Sequence, residues 1–137
     1  IPAEIGYIGL DIVPTVVTEA KAQFPRGDFR VGDITRDPLP YTDAILCRDC
    51  LVHLSFANIA RAVANFRASG ATWLLTTTFP DLGVNRDCDD GDWRGLNFEL
   101  PPFGWGPPVA TIVEGCDEAD GGWADKALAV WRLDAIS

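Results

Sequence analysis

Asp43-Ala44-Ile45-Leu46-Cys47-Arg48-Asp49-Cys50-Leu51-Val52-His53-Leu54 changes character abruptly at its middle. Ala44, Ile45, Leu46 and Cys47 are consecutive, apolar and too few for a helix, which predicts a strand buried on both faces and ended by Arg48 and Asp49. Strands covered on both faces belong to parallel sheets flanked by helices. The flanking sequence repeats the theme. Downstream, Ser55 can cap a helix in which Phe56, Ile59, Val63 and Phe66 form one stripe, with Gly70 as the stop. Residues 71–78 (ATWLLTTT) then read as another buried strand. Upstream, residues 5–13 (IGYIGLDIV) form a β-rich run that reaches Asp11. Pro14 suits the first turn of a helix carrying Val16, Val17, Ala20 and Phe24, and Pro25-Arg26-Gly27 stops it. Residues 28–34 (DFRVGDI) alternate and reach a second acid, Asp33, before the loop Arg36-Asp37-Pro38-Leu39-Pro40. Residues 79–108 lose all periodicity, about 30 residues of Gly, Pro, Asp and aromatics, long enough to be functional. Residues 109–113 and 127–133 read as an antiparallel pair closing the sheet. The alternation predicts an α/β, Rossmann-like fold with a mostly parallel sheet, in one domain over residues 1–137.

Composition bounds the function. A chain of 137 residues, 47% apolar and 23% charged, can bury a core, which excludes disorder. No stretch approaches the roughly 20 apolar residues of a membrane span. Twenty acids against eleven bases give a net charge of −9, and the bases are scattered, so neither nucleic acid nor membrane is an expected partner. Ile1-Pro2-Ala3-Glu4 has no basic or apolar leader character, and Met is absent throughout, so the sequence reads as a piece or product of something longer. Four cysteines are not needed as staples in a chain of this apolar content, which predicts reduced thiols and a cytoplasmic setting.

Ligands of such sheets gather at the carboxyl ends of the strands, where Asp11, Asp33 and the Cys47–Asp49 turn are expected. A carboxylate there can accept both hydroxyls of a ribose diol, which suits Asp11, although a helix-capping Asp is the alternative. Asp33 can accept from an exocyclic amine while Ile34 covers a purine face. Cys47-Arg48-Asp49-Cys50, with His53 three residues on, admits a redox pair or half a zinc site. Cys88 and Cys116 would have to complete a zinc site, yet neither has a partner at the usual spacing. Site-lining thiols without metal are the preferred reading. Asp87, Asp89, Asp90 and Asp92 crowd the long loop without calcium-loop spacing, which predicts a solvated acidic turn. Trp93, Asn97, Phe98, Phe103 and Trp105 either form a substrate lid or pack as a satellite cluster.

Two acids at consecutive strand ends, followed by residues 43–54, resemble the class I S-adenosylmethionine-dependent methyltransferases from their second strand onward. Residues 91–97 and 124–133 are similar to a subgroup of small members. The resemblance implies that Asp11 binds the ribose of S-adenosylmethionine, Ile12 flanks the adenine, Asp33 meets the adenine amine and Ile34 lies beside the ring. Cys47 and Arg48 would border the methionine end. Asp49 or His53 could act as a base, and Trp93 and Asn97 could meet a small-molecule methyl acceptor. The implied activity is methyl transfer; the alternative is a non-catalytic remnant of the fold serving in interaction or assembly. The family's first strand, its Gly-rich loop and the next helix have no counterpart, so the sequence reads as N-terminally truncated. In that family the missing strand lies between the strands around Ile8 and Ile45. Its absence predicts that these two pair directly or that the chain forms a two-fold homodimer that buries their unpaired edge.

Overall fold

The structure, a computed structural model, describes residues 4–136. Ile1, Pro2 and Ala3, part of the start inspected for a leader, lie outside the described residues, as does Ser137. The elements run β1 (Ile8–Asp11), α1 (Pro14–Gln23), β2 (Asp28–Val31), β3 (Ala44–Cys47), α2 (Phe56–Ala68), β4 (Trp73–Thr78), β5 (Ala110–Val113) and β6 (Ala127–Arg132). Two 3-10 turns, Leu51–His53 and Ala119–Gly121, complete the set. The α/β alternation and the antiparallel closing pair are as the hydrophobic pattern predicts. No helix among the described residues is long and apolar enough to cross a membrane.

The strands form two sheets. β1 and β2 pair in parallel, Ile8 opposite Asp28 and Asp11 opposite Val31. The other sheet has the order β3-β4-β6-β5, parallel between β3 and β4 and antiparallel across β6. β1 and β3 do not pair, so direct closure of the gap, the first of the two expected outcomes, is not what the chain adopts. Residues 32–43 join the two sheets and are tied to α2: Asn65 Nδ2 donates to the carbonyls of Ile34 (2.9 Å) and Asp37 (2.7 Å). Ile34 and Leu39 pack against the core from this strap.

The core lies on one face of the larger sheet. α2 buries Ile59, Ala62, Val63 and Phe66 there, an i, i+3, i+4, i+7 stripe, against Leu74 and Trp131. Phe56, expected in the stripe, is half-buried at the helix start. Gly70, at φ 81°, takes the left-handed conformation that ends the helix. The loop after β4 supplies an aromatic roof, with Phe98 stacked on Trp105 at 4.1 Å and 8° and both meeting Trp131 edge-on. Residues paired across a sheet share a face. The opposite face therefore carries Leu46, Leu75 and Val130 in one row and Leu128 beside Ile112 in the next. That face is open, for Leu46 is 60% and Ile112 65% exposed.

α1 departs from its predicted stripe. Only Val17 is buried; Val16 and Phe24 face solvent, because a two-stranded sheet offers the helix too little surface to cover. Gly9 serves this small unit by absence. A Cβ there would lie 2.5 Å from the Phe29 ring, which stands edge-to-face with Tyr7.

Candidate functional site

Asp11, Asp33 and Cys47 lie at or just beyond the carboxyl ends of β1, β2 and β3. Asp11 Oδ1 accepts the Val13 amide at 2.8 Å, and no protein donor among the described residues reaches Oδ2. The capping and diol readings are therefore compatible, one oxygen for each. Its neighbour Ile12 is 59% exposed and can cover a flat ring. Asp33 is more committed. Its Oδ1 accepts the Thr35 hydroxyl (2.7 Å) and amide (2.9 Å), bonds that hold its carboxyl below the usual carboxylate range, and its Oδ2 faces Arg36 at 3.2 Å. Ile34 turns toward the core instead of standing exposed like Ile12. The charge of Asp11 reaches Cys50 and that of Asp90 reaches Asp33, so the strand ends and the acidic loop gather at one end of the molecule.

The turn after β3 is held by partners far away in sequence. Asp49 has φ 51°, unusual for a residue with a side chain. Its amide donates to Thr77 Oγ1 at 2.8 Å, and Lys126 Nζ lies 2.8 and 3.0 Å from its two carboxylate oxygens. Arg48 Nε donates to Glu114 Oε1 at 2.6 Å, while Glu114 Oε2 is buried and meets only the charge of Lys126, 3.8 Å away. The Asp49 carboxylate holds the Lys126 ammonium charged, raising it above its ordinary value. Asp49 is thus spent as an ion-pair partner. Thr77, Glu114 and Lys126 carried no local signal, since their partners lie 28 to 77 residues away.

His53 Nδ1 lies 2.9 Å from the Asp92 carbonyl, which can only accept, so Nδ1 is the donor of this bond and, in the neutral tautomer, Nε2 carries the free lone pair. The His53 carbonyl in turn accepts the Gly91 amide at 2.8 Å. The acidic turn is not merely solvated. Asp90 accepts the Ser55 amide and Asp87 the Phe56 amide, each at 2.7 Å, so two loop acids cap the amino end of α2. Arg94 clasps the same region, donating to the Leu51 and Leu54 carbonyls, and burial lowers its affinity for its proton.

The long loop divides by role. Trp93 is exposed on one side and packs edge-on against Trp123 (4.9 Å) and Phe79 (5.9 Å). Asn97 is 6% exposed, and its side chain bridges the Pro80 and Leu82 carbonyls to the Glu99 amide. No polar group of Asn97 is left to meet a substrate. Phe98 and Trp105 belong to the core, the satellite-packing outcome of the two considered. Cavities of about 210 and 290 Å³ flank α2, one under Phe103 and Trp105 and one beside Arg36 and Asn65, and neither takes in Asp11, Asp33 or Cys47. The strand ends form an open ledge. No group of three or more His, Cys, Asp or Glu among the described residues could hold a metal ion.

Neither a protein-family model nor a curated protein sequence matches the chain. Solved structures do. Human N-acetylserotonin methyltransferase in complex with SAM is similar at TM-score 0.61 and 15% identity, over 91% of this chain and 39% of that one. The PH0226 protein of Pyrococcus horikoshii OT3 is similar at 0.60 and 16%, over 94% and 72%. The [4+2]-cyclase SpnF is similar at 0.59 and 17%, over 93% and 66%. The chain spans well under half of the human enzyme and about two thirds of the others. Its parallel strands, crossover helices and antiparallel closing pair share the class I methyltransferase fold of these structures.

Proposed function

We propose that the chain is the cofactor-holding part of an S-adenosylmethionine-dependent methyltransferase acting on a small molecule in the cytoplasm. The observation that carries this reading is Asp11, a strand-end carboxylate with one oxygen satisfied locally and the other unclaimed by protein donors. The nucleoside end fits the residues present: Asp11 for the ribose diol, exposed Ile12 against the adenine, and Asp33 Oδ2 for the exocyclic amine in competition with Arg36. Cys47 and Arg48 border the other end. Bound S-adenosylmethionine supplies a methyl group already activated on sulfur, leaving the protein to place the acceptor and, where the acceptor carries a proton, to remove it. With Asp49 held by Lys126, that proton falls to His53 Nε2, and the exposed side of Trp93 is offered to the acceptor.

The test is titration of the intact protein with S-adenosylhomocysteine, followed by calorimetry or amide chemical shifts; the 137-residue chain alone is expected to bind weakly or not at all. Asp11→Ala removes a charged acceptor from two hydroxyls and is expected to weaken binding more than tenfold, about 1.4 kcal/mol or more. Equal affinity for wild type and variant overturns the assignment.

A second reading, a non-catalytic interaction module of the same fold, is favoured by the open sheet face and by the commitment of Asp49. The fold also occurs in a protein named as a [4+2]-cyclase, and fold alone does not select a reaction. Self-association without any affinity of the intact protein for S-adenosylhomocysteine supports this module over the enzyme. Under either reading we propose that the chain is a homodimer. A compact chain of 14.9 kDa exposes about 7,000 Å². This one exposes 8247 Å², and the difference exceeds the roughly 800 Å² that each partner contributes to a standard interface.

A further inference from the structure

Cys47 and Cys50 flank the two-residue turn Arg48-Asp49, Cys47 as the last residue of β3 and Cys50 directly before the 3-10 turn at Leu51. A tight turn brings its first and fourth Cα atoms within about 7 Å, which overlaps the span a disulfide bridges. The two thiols are close enough that each acts on the ionisation of the other. They differ in access, for Cys47 is buried and Cys50 half-buried. They differ in acidity as well. The interaction between the two thiols, with burial added, pushes the Cys47 thiol well up, whereas the same interaction draws Cys50 down despite burial and the nearby Asp11 charge. A reachable, more acidic thiol backed by a protected one is the arrangement of an attacking and a resolving cysteine. Cys88 and Cys116 have no such neighbour recorded among the described residues.

We propose that Cys47 and Cys50 form a dithiol that closes reversibly to an intramolecular disulfide by exchange with a low-molecular-weight disulfide of the glutathione type. The Cys50 thiolate attacks one sulfur of the external disulfide, forming a mixed disulfide and releasing one thiolate. Cys47 then gives its proton to solvent and attacks Cys50 Sγ, forming the Cys47–Cys50 bond and breaking the mixed one. Two electrons pass from the cysteine pair to the external disulfide, which leaves as two thiols. The bond closes around Arg48 and Asp49, the residues that hold Glu114 and Lys126, so oxidation alters the ledge at the end of β3. The chemistry is independent of whether that ledge binds a nucleoside.

The experiment exposes the full chain to oxidised glutathione, quenches with acid and measures intact mass and iodoacetamide labelling. The expected result is loss of the mass of two hydrogens, with Cys47 and Cys50 protected together and Cys88 and Cys116 still labelled. Dithiothreitol should restore all four thiols. Cys47→Ser should trap glutathione on Cys50 as a stable adduct. Cys50→Ser, at the less buried position, should leave Cys47 reduced and free of adduct, and it serves alone if the first variant does not fold. A persistent glutathione adduct on the wild-type chain, a disulfide involving Cys88 or Cys116, or no reaction at Cys50 overturns the proposal.

Discussion

Asn97 illustrates how a single polar side chain in a loop can be mistaken for a ligand contact. It lies among aromatics in an aperiodic stretch, which invites a substrate role, yet every polar atom of its side chain serves the loop's own backbone. Its amide also donates to Asn85 Oδ1, and Asn85 Nδ2 returns to the Asn97 carbonyl, so two asparagines fasten residues 80–101. Asn97→Ala leaves two carbonyls and an amide without their partner in a site closed to water, and should cost about 2–4 kcal/mol. Urea unfolding monitored by tryptophan fluorescence checks this, and a change below about 0.5 kcal/mol, the ordinary range for a surface substitution, counts against it. Nothing in the local sequence distinguishes such a residue, because its bonds depend on where a loop of unspecified shape comes to rest. The position of Asp11, though not its role, was legible for the opposite reason. The end of a strand fixes both its place and the direction in which it faces.

At the level of elements, the regular pieces were readable and their long-range fastenings were not. Strand and helix periods follow from apolar spacing within about ten residues, and β3, α2 and β4 appear where those periods predict them. The cap of α2 is divided. Ser55 Oγ accepting the Asn58 amide is a local signal that the sequence displays, whereas Asp90 and Asp87 arrive from more than thirty residues away. Asp90 gives this cap a pH dependence. Its bonds to Ser55 and Asn58 hold its carboxyl below the usual carboxylate value, so the unfolded chain binds the proton more readily than the folded one. The stabilisation is therefore complete above the ordinary carboxylate pKa of about 3.9 and disappears as pH falls through the lower folded value. Urea midpoints at pH 7, 5 and 3 should show Asp90→Asn less stable than wild type at the first two and converging with it at the last. A gap that persists or widens at pH 3 means the carboxylate charge is not the source.

For the molecule as a whole, the alternation of strands and helices disclosed the fold class, while β1 and β3 stand unpaired in separate sheets. The consequence for the opposite face was not legible, because which side of a buried strand is covered depends on elements elsewhere. The proposed homodimer uses that face rather than the unpaired edge from which the sequence predicts a dimer, with an apolar centre of Leu46, Leu75, Val130 and Ile112 bordered by ion pairs of both signs at Arg48–Glu114 and Arg132–Asp134. Such a patch can meet its own copy about a two-fold axis without like charges being forced together. Sedimentation equilibrium at micromolar concentration should give about 30 kDa, twice the chain mass of 14.9 kDa. Ile112→Lys should raise the dissociation constant at least thirtyfold, about 2 kcal/mol, and Val84→Lys, on an exposed loop position, should leave it unchanged. A monodisperse monomer, or an open series of larger species, rules the two-fold pairing out.

The division into two sheets also makes the molecule a pair of plates joined by a strap. Asp11 stands on the smaller plate, the Cys47 turn stands on the larger, and Asn65 grips the strap between them. Any compound that touches both plates acts as a rivet. Part of its binding energy goes into fixing their spacing, so the tightness with which it is held reports the stiffness of the strap as much as the complementarity of either surface. Loosening Asn65, which grips the strap through the Ile34 and Asp37 carbonyls, would then be felt as a weaker grip at the ledge.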